Sequence, residues 1–480
     1  MPSSDPIPDV YVREPGSIPA IQGVPTAVTA LVGRTLRGPA GRPVPISGFA
    51  EFDRVFGGLA ADFPLAYAAW DFFQNGGSQA VVVRLYAGDA DAGTATLRLD
   101  PPEGGPGLTL RAAGPGDWAN GALTATVRRT AAQLAGSFIL EASWTRPDGS
   151  VLREHFADVS LIPDAGSRRL DRVLADRSAL LRYVFPPDAP PFPEDGWTGT
   201  AAGGVASAYL ADTDYLPPEG ANSRRGIYAL EGVDLFNLLC LPPDRRVGEE
   251  QGEAVPSAAA YPAAAAYCEA RRAFLVVDPP PAWLDLLRQG EVERIDVADA
   301  GTYGLTGRNA AVYFPHLLQA DPCRGGAAYP FAPSGAVAGI MARTDAETGV
   351  WKAPAGTTSG ALRGVVGLDA ELSDRDNGFL SRQGINCLRT FPLTGSVVWG
   401  ARTLRSADVL DDDFTYISVR RLALYIEESL YRGTAWAALE PNAEPLWAAL
   451  RQSVSVFMRG LAPAFFGSGV DQGYFVRCDA

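Results

Sequence analysis

Lysine is all but missing from this chain of 480 residues: Lys352 is the only one, so arginine carries nearly all of the 41 basic charges. Against 55 acidic residues these leave a net charge of −14, which argues against nucleic acid as the main partner, since phosphate binding requires a cationic face. Histidine occurs twice, at His155 and His316, with no cysteine or carboxylate at ligand spacing beside either. Both read as surface or core histidines rather than as catalytic or zinc-binding groups. The five cysteines, Cys240, Cys268, Cys323, Cys387 and Cys478, are scattered and odd in number, with no C-x-x-C pair. They suit reduced, mostly buried thiols of a cytoplasmic protein. No apolar run is long enough to span a bilayer, so no membrane insertion is expected. The opening Met1-Pro-Ser-Ser-Asp-Pro6 has neither the basic nor the apolar part of a signal peptide. A phosphate-binding G-x-x-x-x-G-K-[ST], a G-x-G-x-x-G after a strand and a G-x-S-x-G elbow are all absent; Ser359 has the wrong flanks for the last. This is not an enzyme's inventory, and it calls for no cofactor.

What is there is apolar pattern. Near the C-terminus, Val419, Leu422, Ala423, Ile426 and Leu430 recur at spacings of three and four, predicting an amphipathic helix over 414–433. Arg420, Arg421, Glu427 and Glu428 fall mainly on its other side, and Gly433 supplies the stop. A second helix runs to Leu461 with a stripe of Leu446, Trp447, Leu450, Val454, Phe457, Met458 and Leu461, capped by Asn442, and a short strand is expected at Tyr474–Cys478. Elements this apolar need a sheet to cover.

The rest of the chain supplies one. An extended arm leads into a buried strand ending at Gly33. Ser47 is placed to cap a short helix carrying Phe49, Phe52 and Phe56, and a helix from Pro64 and a strand from Ala80 follow. From Gly88 short alternating runs (94–99, 108–112, 123–128, 138–144) predict a β-rich module, with a charged helix over 167–181 and a Pro/Gly-rich loop over 186–220. Apolar strands return at Val233–Cys240, Arg272–Asp278, Ala310–Phe314 and Gly395–Trp399, with a helix over 261–271. The fold class is therefore α/β, mixed α+β: a discontinuous α/β core domain with an inserted β-rich domain. Its parts are an N-terminal arm (1–22), two core segments (23–87 and 226–480) and the insertion (88–225).

Two acidic stretches are the remaining candidates for chemistry. Asp374-Arg-Asp-Asn-Gly378 is a poor calcium loop, with the glycine one position early and Ile385 where the closing glutamate belongs, and reads as a turn. Asp411-Asp-Asp413 reads as a solvated loop. The small-residue stretch from Phe331 to Gly356 favours close backbone approach and is either a packed core helix or a subunit-contacting loop.

An ordered set of motifs then resembles one family, the sheath proteins of contractile phage tails and related contractile injection systems. Pro8-Asp-Val-Tyr-Val-Arg-Glu14, Ile21-Gln-Gly-Val-Pro-Thr-Ala-Val28 and Phe72-Phe-Gln-Asn-Gly-Gly77 look like its N-terminal segment. Gly114-Pro-Gly-Asp-Trp-Ala-Asn120 resembles the turn opening its inserted module. Ser334, Gly335, Arg343, Asp345, Trp351, Lys352 and Pro354 stand in motifs resembling its C-terminal half, followed by Gly384-Ile-Asn386, Trp399-Gly-Ala-Arg-Thr403, Arg420-Arg421 and Glu440-Pro-Asn442.

The resemblance implies a virion-type structural subunit made in the cytoplasm. It would polymerise helically with copies of itself around an inner tube protein, meet baseplate and sheath-terminator proteins, and contract to drive the tube into a target. In such proteins terminal arms add strands to neighbours, which makes Val10, Tyr11, Val12, Arg13, Ile18 and Ile21 candidate linking residues. Glu440, Asn442, Glu444, Trp447, Arg451 and Arg459 are candidates for the face toward the tube or a neighbouring subunit. Resembling chains continue beyond the 475–479 strand, so a terminal-layer paralogue near the baseplate is the alternative within the family. An α/β enzyme with an acidic site is the alternative outside it.

Overall fold

The computed structural model describes residues 20–479 except 102, 104–106, 131–133, 186–190, 247–255, 257–258, 300–302, 406–412 and 467–473, and gives no side-chain placement for 462–466. Two compact units emerge: residues 26–420, and a smaller one made of the N-terminal 25 residues with 421–480.

The larger unit is organised by an eight-stranded sheet, in the order Gly395–Val398, Ile385–Phe391, Ala310–Phe314, Phe274–Val277, Leu238–Cys240, Thr29–Gly33, Ala80–Arg84, Pro43–Ile46. The six inner strands are parallel, and an antiparallel strand closes each edge. Five of the inner ones, Thr29–Gly33, Ala80–Arg84, Leu238–Cys240, Phe274–Val277 and Ala310–Phe314, are buried along their whole length, which is why they read as mostly apolar runs. The helix Ala260–Ala270 joins Ala30, Val32, Leu239, Leu275 and Val277 in one core. The helices Pro64–Gln74 and Ser334–Glu347 pack on each other, and Cys240 of the sheet lies under the start of the second, its thiol 3.7 Å from the Ser334 carbonyl.

Between Arg84 and Leu238 the described residues add no strand to this sheet. They build a four-stranded antiparallel sheet (Thr198–Thr200, Leu123–Arg128, Phe138–Thr145, Val151–Val159) and a three-stranded one (Thr96–Leu99, Leu108–Ala112, Leu181–Arg182). Both share a core of their own, which includes Leu97, Leu110, Val127, Leu140, Trp144 and Leu174. A third small sheet pairs Leu317–Asp321 with Ala327–Phe331 and Gly367–Leu368.

Several expectations are corrected. The charged helix is Leu170–Arg177, because Leu181 belongs to a strand paired with Ala112. The run at 233–240 is a strand only over its last three residues. Ser47 does not cap; it lies before the N-cap Gly48, and its backbone N–H and hydroxyl both donate to Glu51, at 3.0 and 2.9 Å. Residues 374–382 form a helix rather than a turn, because Ser373 and Asp376 make a reciprocal capping box. Tyr474–Asp479 joins no ladder. The helix Ile417–Gly433 buries Ile417, Arg420, Arg421, Leu424 and Glu428 while Val419 is exposed, so its charged side is the covered one. The guanidinium of Arg420 is partnered, its Nε donating to Asn309 Oδ1 at 2.8 Å while it lies over the Phe414 ring. No helix among the described residues is long and apolar enough to cross a membrane.

Candidate assembly surfaces

The small-residue motif sits inside the larger unit. Gly335 rides directly on the helix Pro64–Gln74: a Cβ there would stand 2.2 Å from the Ala68 carbonyl oxygen, and one at Gly339 would stand 2.4 Å from that of Phe72. Only hydrogen allows this approach. Ser334 fixes the start of its helix on the buried Asp278, donating from N at 2.7 Å and from Oγ at 2.6 Å. Burial pushes the Asp278 carboxyl up to about 6, and the Ser334 hydrogen bonds hold it back from rising further. At the other end Arg343 donates to the carbonyls of Asn75, Ser359 and Ala361 at 3.0, 3.2 and 2.6 Å. Ser334, Gly335 and Arg343 therefore act together on one helix seam. Pro354 is buried, Asp345 and Trp351 are half-buried, and Lys352 is exposed on the loop that follows.

A second seam lies between the strand Ala80–Arg84 with the loop after Thr29–Gly33 and the two small antiparallel sheets, and the glycine-rich turn at Gly114 lies on it. Arg84 is fully buried and spends its donors on three carbonyls: Thr35 (3.2 Å), Gly38 (2.7 Å) and Pro115 (2.9 Å). Burial lowers its guanidinium to about 9, leaving it charged at neutral pH. A Cβ on Gly114 would stand 2.1 Å from the Gly38 carbonyl oxygen. Nearby, Arg37 donates to the Ala179 carbonyl at 2.8 Å and stacks over Trp144, while Arg146 grips Asp53 with two bonds of 2.9 and 2.7 Å. Sequence reasoning missed Arg37, Arg84 and Arg146; the one signal was at Arg84, an arginine set between Val83 and Leu85.

In the smaller unit residues 21–24 lie along the helix of residues 421–433. Ile21 is buried against Gly433, Gly23 sits over the Tyr425 ring, and Val24 N donates to Ser429 Oγ at 3.2 Å. Val10, Tyr11, Val12, Arg13 and Ile18 lie outside the described residues. Just before the last helix, Glu444–Phe466, Asn442 Oδ1 accepts from the Trp447 indole at 2.7 Å, so that oxygen is committed to the ring. Arg451 pairs with Glu444 and donates to the Cys478 carbonyl at 2.5 Å, and Tyr474 Oη donates to the Ser455 carbonyl at 3.0 Å. The 474–478 segment is thus laid along the helix by its ends. Glu440 and Arg459 are exposed and join neither cluster.

The residues considered for chemistry are dispersed. His316 is buried with Nδ1 3.0 Å from Asp369 Oδ2, a carboxylate 53 residues away in the chain. His155 lies on the open face of the four-stranded sheet, 3.5 Å from Glu141 Oε1. Asp374 pairs with Arg389 at 2.7 Å, and Asp411 and Asp412 lie outside the described residues. Among the described residues no three His, Cys, Asp or Glu side chains gather to hold a metal.

Residues 219–404, which hold most of the parallel sheet and the Gly335 seam, match the family model of the phage tail sheath protein central domain. The chain has a sheath-protein fold. The sheath tail protein of Listeria innocua is similar over 93% of this chain and 86% of its own, with a TM-score of 0.62 and 12% identity. The helical sheath of the anti-feeding prophage in its contracted state aligns over 99% of this chain and 89% of its own (TM-score 0.55, 20% identity). The PVC sheath complex of an extracellular contractile injection system, also contracted, aligns over 99% and 88% (TM-score 0.52, 18% identity). No curated protein sequence matches. The resemblance read from the motifs thus holds for the fold and for the central region of this sheath-type chain.

Proposed function

We propose that the chain is a structural subunit of a contractile sheath, which polymerises helically with its own copies around an inner tube and contracts to drive tube and spike into a target. The observation that carries this reading is the likeness to sheath subunits over nearly the whole chain, centred on residues 219–404. Contraction of such an array needs two packings that differ by only a few kcal/mol per subunit, summed over many copies. On this reading the protein works by assembly, without catalysis or cofactor. The 88–225 module projects outward from the core segments 23–87 and 226–480. Residues 1–22 link neighbouring subunits, and the surface of Glu440, Glu444, Arg451 and Arg459 faces the tube. Baseplate and terminator proteins meet the two ends of the polymer.

Sedimentation of the full chain against a 23–480 version tests this. The full chain is expected to form large, concentration-dependent species, and the shortened one to stay folded without forming them. A full chain that sediments as single copies at every concentration overturns the proposal.

A further inference from the structure

The seam between the helix Pro64–Gln74 and the strand Leu317–Asp321 is fastened at two points. Tyr67 and Asp71 are one helical turn apart on the helix, and Asp321 and Gln319 are two residues apart on the strand, so both pairs face each other. At one point Tyr67 Oη donates to Asp321 Oδ1 at 2.7 Å. Asp321 also accepts from Arg246 Nη2 at 2.6 Å and from Cys323 N at 2.9 Å, and the Arg246 guanidinium compensates its charge. At the other point Gln319 Nε2 donates to Asp71 Oδ1 at 2.8 Å. Asp71 has no exposed surface, and among the described residues no cation stands beside it and its Oδ2 has no hydrogen-bond partner.

Among the described residues no charged group of the surrounding elements bonds the Asp71 carboxylate. Arg343 and Arg363 lie at the Asn75 end of the helix, where Arg343 donates to carbonyls and the Arg363 backbone bonds Asn75. On the neighbouring helix Phe49–Phe56, Glu51 is held by Ser47, Asp53 by Arg146, and Arg54 lies near Glu51. An ionised carboxylate in this place would be an uncompensated buried charge.

We propose that Asp71 and Gln319 form a pH-sensitive latch: the helix stays seated on the strand while Asp71 carries its proton, and the seam loosens when that proton is lost. Burial pushes this carboxyl from the ordinary 3.8 up to about 8, with the Gln319 hydrogen bond opposing the rise. The folded chain therefore binds the proton more tightly than the unfolded one. The stability this proton confers is complete below about pH 4 and is lost as pH rises toward about 8.

The test is denaturant unfolding of the full chain and of Asp71→Asn from pH 6.5 to 9. The ratio of the wild-type unfolding constant to the variant's should grow by up to about tenfold per pH unit until about pH 8, then level off. A ratio independent of pH overturns the latch. Should Asp71→Asn fail to fold, amide-exchange protection in the wild-type chain decides. Protection lost over 64–74 between pH 7 and 9, but kept over the strand Thr29–Gly33, supports the proposal, and equal retention at both overturns it.

Discussion

Two helices of this protein invert each other's logic. Ser334–Glu347 has no apolar stripe to speak of, yet every residue from Ser334 to Thr344 is buried, because two glycines let it touch a second helix backbone to backbone. Ile417–Gly433 has a clear apolar stripe, yet it turns Arg420, Arg421 and Glu428 inward and leaves Val419 partly in water. Periodicity identifies a helix; it does not say which side is covered when the charged side has partners waiting. Arg420 has such partners in Asn309 and Phe414, more than 100 residues away in the chain for the first.

The contrast can be broken by substitution. Gly335→Val puts two methyl groups where one Cβ already meets a carbonyl oxygen at 2.2 Å, and it should cost about 3 kcal/mol or more, read as a fall in the urea midpoint. Arg420→Met removes a buried donor from Asn309 and should cost about 2 kcal/mol by the same measurement. Arg343→Met strips three carbonyls at the far end of the glycine helix, one of them on the neighbouring helix's cap, and about 1–2 kcal/mol is expected because two of the three, those of Ser359 and Ala361, are only part-buried. Val419→Ser, on the stripe that pattern alone assigns to the core, should change stability by less than about 0.5 kcal/mol. A larger cost at Val419 than at Arg420 would reverse the comparison.

Legibility followed the same line. Ala310–Phe314, Leu108–Ala112 and Leu123–Arg128 were readable to the residue, since each is a compact apolar or alternating run between breakers. Val151–Val159 was not, because Arg153, Glu154 and His155 occupy an edge strand with little buried surface. Pro43–Ile46 escaped because its two prolines argue against a strand, although an edge position tolerates them. The glycine helix was legible as a place of close approach, and its partner helix was not named by any local signal. The buried pairs are the least readable of all: Asp71 with Gln319 and Arg246 with Asp321 are joined only by the fold.

The central claim is that this chain acts as one copy in a helical array. Negative-stain electron microscopy of the purified full-length protein tests it most directly. Tubes or stacked rings with a regular helical repeat are predicted, and a field of separate single-copy particles at high protein concentration would contradict the account.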